Sequence, residues 1–137
     1  MTQPLKRPGA TSIVLLTDFG PHSPYVGQLK LVLERLAPET KVIDLAHDIP
    51  PQQLSAATLI LKSSLPLLPE GALLCAVVDP GVGSQRRILA ARFANGLSVL
   101  APDNGLLHAF EALFPPLGLH EVTERAYFLP GPGCVFH

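Results

Sequence analysis

SIVLLTDFG, residues 12–20, is an unbroken apolar run that closes on a threonine, an acid and a glycine. A strand with one wet face alternates polar and apolar side chains. A run without alternation has the form of a strand buried on both faces, as in parallel sheets covered by helices on either side. The residues that follow support that reading. From Tyr25 to Leu36 the apolar positions Val26, Leu29, Val32, Leu33 and Leu36 are spaced by three and four, which predicts an amphipathic helix. KVIDLAHDI (41–49) returns to strand character, and the Pro50-Pro51 pair makes a stiff entry to a second helix from about Gln52 to Ser64. GALLCAVVD (71–79) reads as a third buried strand. RILAARFA (87–94) and LSVLAP (97–102) are two more, joined through Asn95-Gly96, a strong short hairpin signal. A helix over Asp103–Leu113 and a last strand over Leu117–Val122 complete the chain's elements. The order strand, helix, strand, helix, strand predicts an α/β fold: a doubly wound, mostly parallel sheet with helices on both faces and a mixed or antiparallel edge.

Composition narrows the partners. With 47% apolar and only 15% charged residues, the 137-residue chain suits one domain with one core, which excludes a disordered chain. A net charge of -1 without any block of like charge supplies no footprint for nucleic acid or for an anionic membrane. The opening MTQPLKRPGATS is polar and broken by prolines, and Ile13–Leu16 is far too short for a signal sequence or a membrane span. The expectation is a soluble, cytoplasmic protein with residues 1–11 as a flexible leader and 12–137 as a single domain. Cys75 and Cys134 show no C-x-x-C or His-Cys spacing and read as two reduced thiols.

In open α/β sheets ligands bind beyond the carboxyl ends of the strands. Here those ends carry Asp18 in TDFG, Asp79 in VVDPGVG, and Asp103 with Asn104 in APDNG, while DLAHDI adds Asp44, His47 and Asp48. Any one of these is an ordinary turn former or helix cap. Their accumulation at one edge predicts a polar site. In VVDPGVGSQRR (77–87) the glycines allow close backbone approach, but neither a Rossmann fingerprint nor a P-loop lysine is present. Arg86 is placed to fold back onto Asp79 across that turn, an arrangement that an idle surface ion pair would share. His22, His47, His108 and His120 lack metal-ligand spacing, and for His47 at its strand end packing is the plainer reading. A metal-dependent phosphatase on the same acidic edge would want a D-x-D after the first strand, which is absent.

LLTDFG, YVGQLK, VIDLAHDIP, VVDPGVGSQRR, APDNGLL and the terminal VFH stand in the order and approximate distances seen in the S-adenosyl-L-methionine (SAM) hydroxide adenosyltransferases, the SAM hydrolases related to fluorinase and chlorinase. The chain resembles that family from about Ser12 to His137. The resemblance implies attack of water, acting as hydroxide, on the ribose C5′ of SAM, with release of adenosine and methionine and with no metal or other cofactor. It implies that Asp79, Arg86 and His137 form the water-handling triad, that Asp18 binds the ribose diol, and that Ser23 lies along the substrate, while Tyr25 reads as packing at the first helix start, with lining of the substrate cleft as the alternative. An acid at position 79 would repel halide, which places the chain on the hydrolase branch. The family carries an aspartate where this chain has Ser23, and glycine where it has Leu31. A serine there can hydrogen-bond the methionine portion of the substrate but offers its ammonium no charge. The family's subunit also continues into a β-rich second domain and assembles as a homotrimer whose sites form between subunits. The expectation from the resemblance is therefore a hydrolase that needs such a domain for full activity, with a non-catalytic truncated remnant or split-protein piece that binds nucleoside or assembles with partner subunits as the alternative.

Overall fold

The computed structural model describes residues 9–51, 53–79, 86–111 and 115–128. The elements run β1 (Ser12–Thr17), α1 (Pro24–Leu36), β2 (Lys41–Ala46), α2 (Leu54–Ser64), a 3₁₀ turn (Leu65–Leu67), β3 (Leu73–Val77), β4 (Ile88–Phe93), β5 (Ser98–Pro102), α3 (His108–Glu111), β6 (Pro116–Glu121) and a second 3₁₀ turn (Arg125–Tyr127). One six-stranded sheet has the order β2-β1-β3-β5-β4-β6. The pairs β1–β2, β1–β3 and β3–β5 are parallel, whereas β4 runs antiparallel to both β5 and β6. This is the mixed, doubly wound arrangement that the apolar runs predict.

All six residues of β1 are buried, as a central strand requires. Val14 and Leu16 face the main core, where Ala57 and Leu61 of α2 meet Leu74 and Ala76 of β3, Val99 and Ala101 of β5, and Leu89, Ala91 and Phe93 of β4. Phe110 of α3 closes that core against the Phe93 ring, with centroids 5.6 Å apart. The alternate residues Ile13, Leu15 and Thr17 point to the opposite face. That face belongs to α1, because Lys30 of α1 pairs with Asp44 and Asp44 stands beside Leu15 in the β1–β2 register. The two helices thus lie on opposite sides of the sheet, as right-handed crossovers in opposite directions demand.

Three details depart from the sequence expectation. β3 is not buried on both faces: Leu74 and Ala76 are enclosed, but Leu73, Cys75 and Val77, on the α1 side, keep some solvent contact. Alternation was hidden because both faces carry apolar residues. Burial still pushes the Cys75 thiol up to about 11, so it stays protonated; Cys134 lies outside the described residues. In α1 the stripe of Val26, Leu29, Val32 and Leu33 is half-buried, yet Leu36, the last residue of the helix, is 78% exposed. The third helix starts at His108 rather than at Asp103 and is described to Glu111, with residues 112 and 113 of the expected span outside the described residues. Asp103–Leu107 are committed to a turn in which Asn104 Oδ1 accepts from Leu106 N and Gly105 takes a φ of +94°.

The β4–β5 hairpin forms as expected, but Gly96 sits after the tight turn rather than at its centre. Gly96 N donates to Phe93 O, Phe93 N donates to Leu97 O, and Gly96 holds a φ of +84°. Such a left-handed glycine completes the longer type of hairpin loop. Asn95 Oδ1 steadies it by accepting from Leu97 N.

Candidate active site at the strand ends

The chain leaves β1 for β2 on one side and returns to β3 on the other, so the path reverses between β1 and β3. A crevice opens at such a reversal, beyond the carboxyl ends of the strands. Thr17 pairs with Val77 in the β1–β3 register, which puts the residues just after each strand side by side. Those residues are Asp18 and, one further on, Asp79. The backbone N–H of Asp79 donates to Asp18 Oδ2 at 3.2 Å, and Asp18 N donates to Val77 O at 3.2 Å.

Asp18 is only partly exposed, and burial raises its carboxyl above the ordinary aspartate value, against the lowering effect of the N–H bonds from Asp79 and from its own backbone. The nearby Asp79 charge pushes in the same direction as burial. Asp79 itself is 14% exposed and pairs with the Arg86 guanidinium, Nε to Oδ1 at 3.3 Å. This contact answers a topological demand. β5 lies between β3 and β4, so a chain leaving β3 must pass the end of β5 before entering β4 antiparallel. Arg86 arrives at the same edge as Asp79 and reaches across to it. Pro80–Gln85, including the two glycines of the connecting loop, lie outside the described residues, as does His137.

β5 supplies the next position. Asn104 Nδ2 donates to Val78 O at 2.7 Å, tying the end of β5 to the end of β3 immediately before Asp79. Asp103 is occupied differently: Arg87 Nε and Nη2 both donate to its Oδ2, at 3.0 and 2.6 Å. The paired arginines therefore divide, Arg86 to Asp79 and Arg87 to Asp103. A separate cleft of about 250 Å3 includes Arg87, Asp103, His108, Glu111 and Glu121, but none of Asp18, Asp79, Arg86 or Asn104 lines it.

Ser23 and Tyr25 begin α1 beyond the Asp18 turn. Ser23 is the helix N-cap, its Oγ accepting from Tyr25 N at 3.2 Å, and Pro24 occupies the first helical turn. The Tyr25 ring meets Phe19 edge to face, with centroids 5.9 Å apart. Leu31 is 68% exposed and makes no part of this edge. The structure thus brings Asp18, Asp79 and Arg86 together and puts Ser23 and Tyr25 at the adjoining helix start.

Sequence reasoning underweighted two features. Asn104 is counted there among the polar strand ends but without a partner, and its bond to Val78 O spans elements distant in the chain. The second is His47, whose ring lies between Thr17 and Asp44 rather than in an apolar packing site. The D-x-x-H spacing at the end of β2 was the available signal, since a bend there brings the two side chains together.

Comparisons with known proteins agree with this fold. Residues 13–135 match the family described as the SAM hydroxide adenosyltransferase N-terminal domain. An (R)-S-adenosyl-L-methionine hydrolase of Thermus thermophilus is 45% identical over 120 residues, covering 88% of this chain and 44% of that protein. One of Salinispora tropica is 40% identical over 126 residues, covering 91% and 48%. Among solved structures, an uncharacterized conserved protein of Thermotoga maritima superposes with a TM-score of 0.84 at 33% identity, over 91% of this chain and 49% of that one. A conserved hypothetical protein of Thermus thermophilus gives 0.76 at 43% identity, over 84% and 48%. The chain spans about half the length of the relatives it matches. Fold and similarity along nearly the whole sequence converge, and this chain belongs to the SAM hydroxide adenosyltransferase family by virtue of that family's N-terminal domain.

Proposed function

We propose that this chain carries the water-handling half of a SAM hydrolase. The observation that supports it most directly is the Asp18–Asp79 juxtaposition at the topological reversal, with Arg86 on Asp79. Two carboxylates side by side repel, and here each has a separate partner, which fits two separate tasks. Asp18, with one carboxylate oxygen taken by Asp79 N, accepts hydrogen bonds from the vicinal ribose hydroxyls. Asp79 orients a water molecule against C5′, and Arg86 stabilises the hydroxide-like charge that builds on it. The water oxygen forms a bond to C5′ as the C5′–S bond breaks. The sulfonium keeps that electron pair and leaves as the neutral thioether of methionine, and one proton passes from the attacking water to the site. Since sulfonium is a good leaving group, orientation of the nucleophile matters more than acid catalysis. His137 enters as the third member of the triad through the family resemblance. The Ser23 hydroxyl and the Tyr25 ring contact the methionine and sugar ends of the substrate.

The reading takes residues 12–137 as one α/β domain, 1–11 as a leading segment, a homotrimer as the working assembly, a β-rich second domain as the remainder of the nucleoside pocket, and the cytoplasm as the location. It requires no cofactor. Among the described residues no helix is long and apolar enough to cross a membrane.

The test is product formation from SAM by the purified chain, alone and with the unmatched half of the Thermus thermophilus relative supplied in trans. Adenosine and methionine in equal amounts, lost in Asp79→Ala, support the proposal. Turnover that survives Asp79→Ala, or binding of SAM with no turnover in either condition, counts against it.

A further inference from the structure

A second polar array lies behind the candidate site, and the proposed chemistry does not use it. Thr17 ends β1 one residue before Asp18, is fully buried, and holds its hydroxyl 2.8 Å from His47 Nδ1. His47 Nε2 is 2.8 Å from Asp44 Oδ1, while Lys30 of α1 takes the other oxygen of that carboxylate. On the near side, Phe19 N donates to Thr17 Oγ1 at 3.4 Å, and the backbone carbonyl of His47 accepts from Gly20 N at 2.8 Å. His47 therefore grips the turn that carries Asp18 at both ends, by its ring through Thr17 and by its carbonyl at Gly20.

Counting donors and acceptors assigns the protons. Asp44, ionised beside Lys30, only accepts, so His47 Nε2 carries the hydrogen between them. Thr17 Oγ1 accepts from Phe19 N, and its own hydrogen has His47 Nδ1 as its one acceptor among the described residues. A buried hydroxyl without an acceptor is costly, so Nδ1 is bare. The direction of every bond is then consistent from Phe19 through Thr17 and His47 to Asp44 and Lys30.

We propose that His47 is a positioning residue, held as the neutral Nε2–H tautomer, which locks the 17–20 turn so that the Asp18 carboxylate meets the ribose hydroxyls. This rests on the reading of Asp18 as the ribose binder. A residue that merely packs would be indifferent to its tautomer and to the loss of a single neighbouring oxygen. Wired in this way, His47 is sensitive to both.

Two measurements test it. Long-range proton–nitrogen NMR of the imidazoles, assigned with His47→Asn, is expected to show a protonated Nε2 and a bare Nδ1 whose resonance moves in Thr17→Val. Adenosine titrated calorimetrically, with the complementing half of the relative present, is expected to bind about tenfold more weakly to Thr17→Val and to His47→Ala, the size of one lost buried hydrogen bond. The double variant should be no weaker than the worse single one. His47→Asn, whose amide oxygen can still accept from Thr17, should recover part of the loss. An Nδ1–H tautomer, or unchanged affinity in both single variants of a chain that binds adenosine, overturns the proposal. A wild-type chain that binds no adenosine overturns the ribose role of Asp18 and the positioning role with it. That failure is told apart from a failure of the wiring by the tautomer, which is read without ligand.

Discussion

The backbone N–H of Asp79 is bonded to the carboxylate of Asp18, across 3.2 Å and between the ends of two neighbouring parallel strands. One candidate substrate ligand is thereby held by the main chain of the candidate water-handling residue, so the two are fixed relative to each other. Asp18 is a costly choice for that place, because burial raises its carboxyl above the usual value.

Linkage makes that cost measurable. An acid with a raised folded-state value binds its proton more tightly in the native protein than in the unfolded chain, so its contribution to stability is most favourable at low pH and declines as pH rises through the raised value. Asp18→Asn keeps an oxygen for Asp79 N and removes the charge. Thermal melts are expected to show this variant at least as stable as wild type at pH 7, with the difference shrinking below about pH 4, the ordinary aspartate range, while adenosine affinity falls. A variant that is less stable at neutral pH and binds normally would contradict both halves of the reading.

Asp44 has the opposite sign. Burial acts to raise it, but the hydrogen bonds from Lys30 and His47 and the Lys30 charge outweigh that and lower it. A lowered acid supports the fold above its unfolded value and loses that support as pH falls through the lower one. Asp44→Asn should therefore cost stability at pH 7, by under about 1 kcal/mol since the pair is substantially exposed. The penalty should fade as the pH drops below the ordinary aspartate range. Denaturant midpoints at pH 7 and pH 3 check this, and an equal penalty at both would be the contrary result.

Arg86 offers a geometric test. Its Nε stands 3.3 Å from Asp79 Oδ1, and lysine has no equivalent donor part-way along its chain. Arg86→Lys is expected to lose at least about a hundredfold in turnover if the guanidinium stabilises charge on the attacking water, as an electrostatic donor of that kind does. Steady-state assays on the complemented protein decide it. A lysine variant within a few-fold of wild type would reduce Arg86 to a surface partner.

Gly20 separates turn conformation from packing. Its φ is +88° and an added Cβ would meet nothing within 4 Å. Gly20→Ala therefore costs only backbone strain, about 1–2 kcal/mol, with no steric clash. Since this is the residue that His47 holds through its carbonyl, the variant should also weaken adenosine binding. Full stability in chemical denaturation would show that the left-handed turn is not required.

Phe110 tests the core instead. It is fully buried against Phe93 beneath the β4–β5 hairpin, and Phe110→Ala is expected to destabilise by about 3–5 kcal/mol. A loss under about 1 kcal/mol would mean that α3 contributes little to the packed unit.

The strand and helix order was legible in the sequence because apolar runs, prolines and glycines act locally. The buried run at 13–16, the three-and-four spacing of Val26, Leu29, Val32 and Leu33, and the Asn95-Gly96 turn each report a conformation that neighbouring residues enforce. Strand ends bearing Asp18, Asp79 and Asn104 could be counted in the same way. What residue order could not supply was direction and partnership. The Arg86–Asp79 pair was legible in the spacing across the turn, but that β5 inserts between β3 and β4, that Arg87 goes to Asp103, and that His47 joins Thr17 rather than an apolar neighbour all depend on sheet register. Hydrogen bonds are directional and reach only about 3 Å, so contacts between residues remote in the chain exist only once the sheet has set those distances.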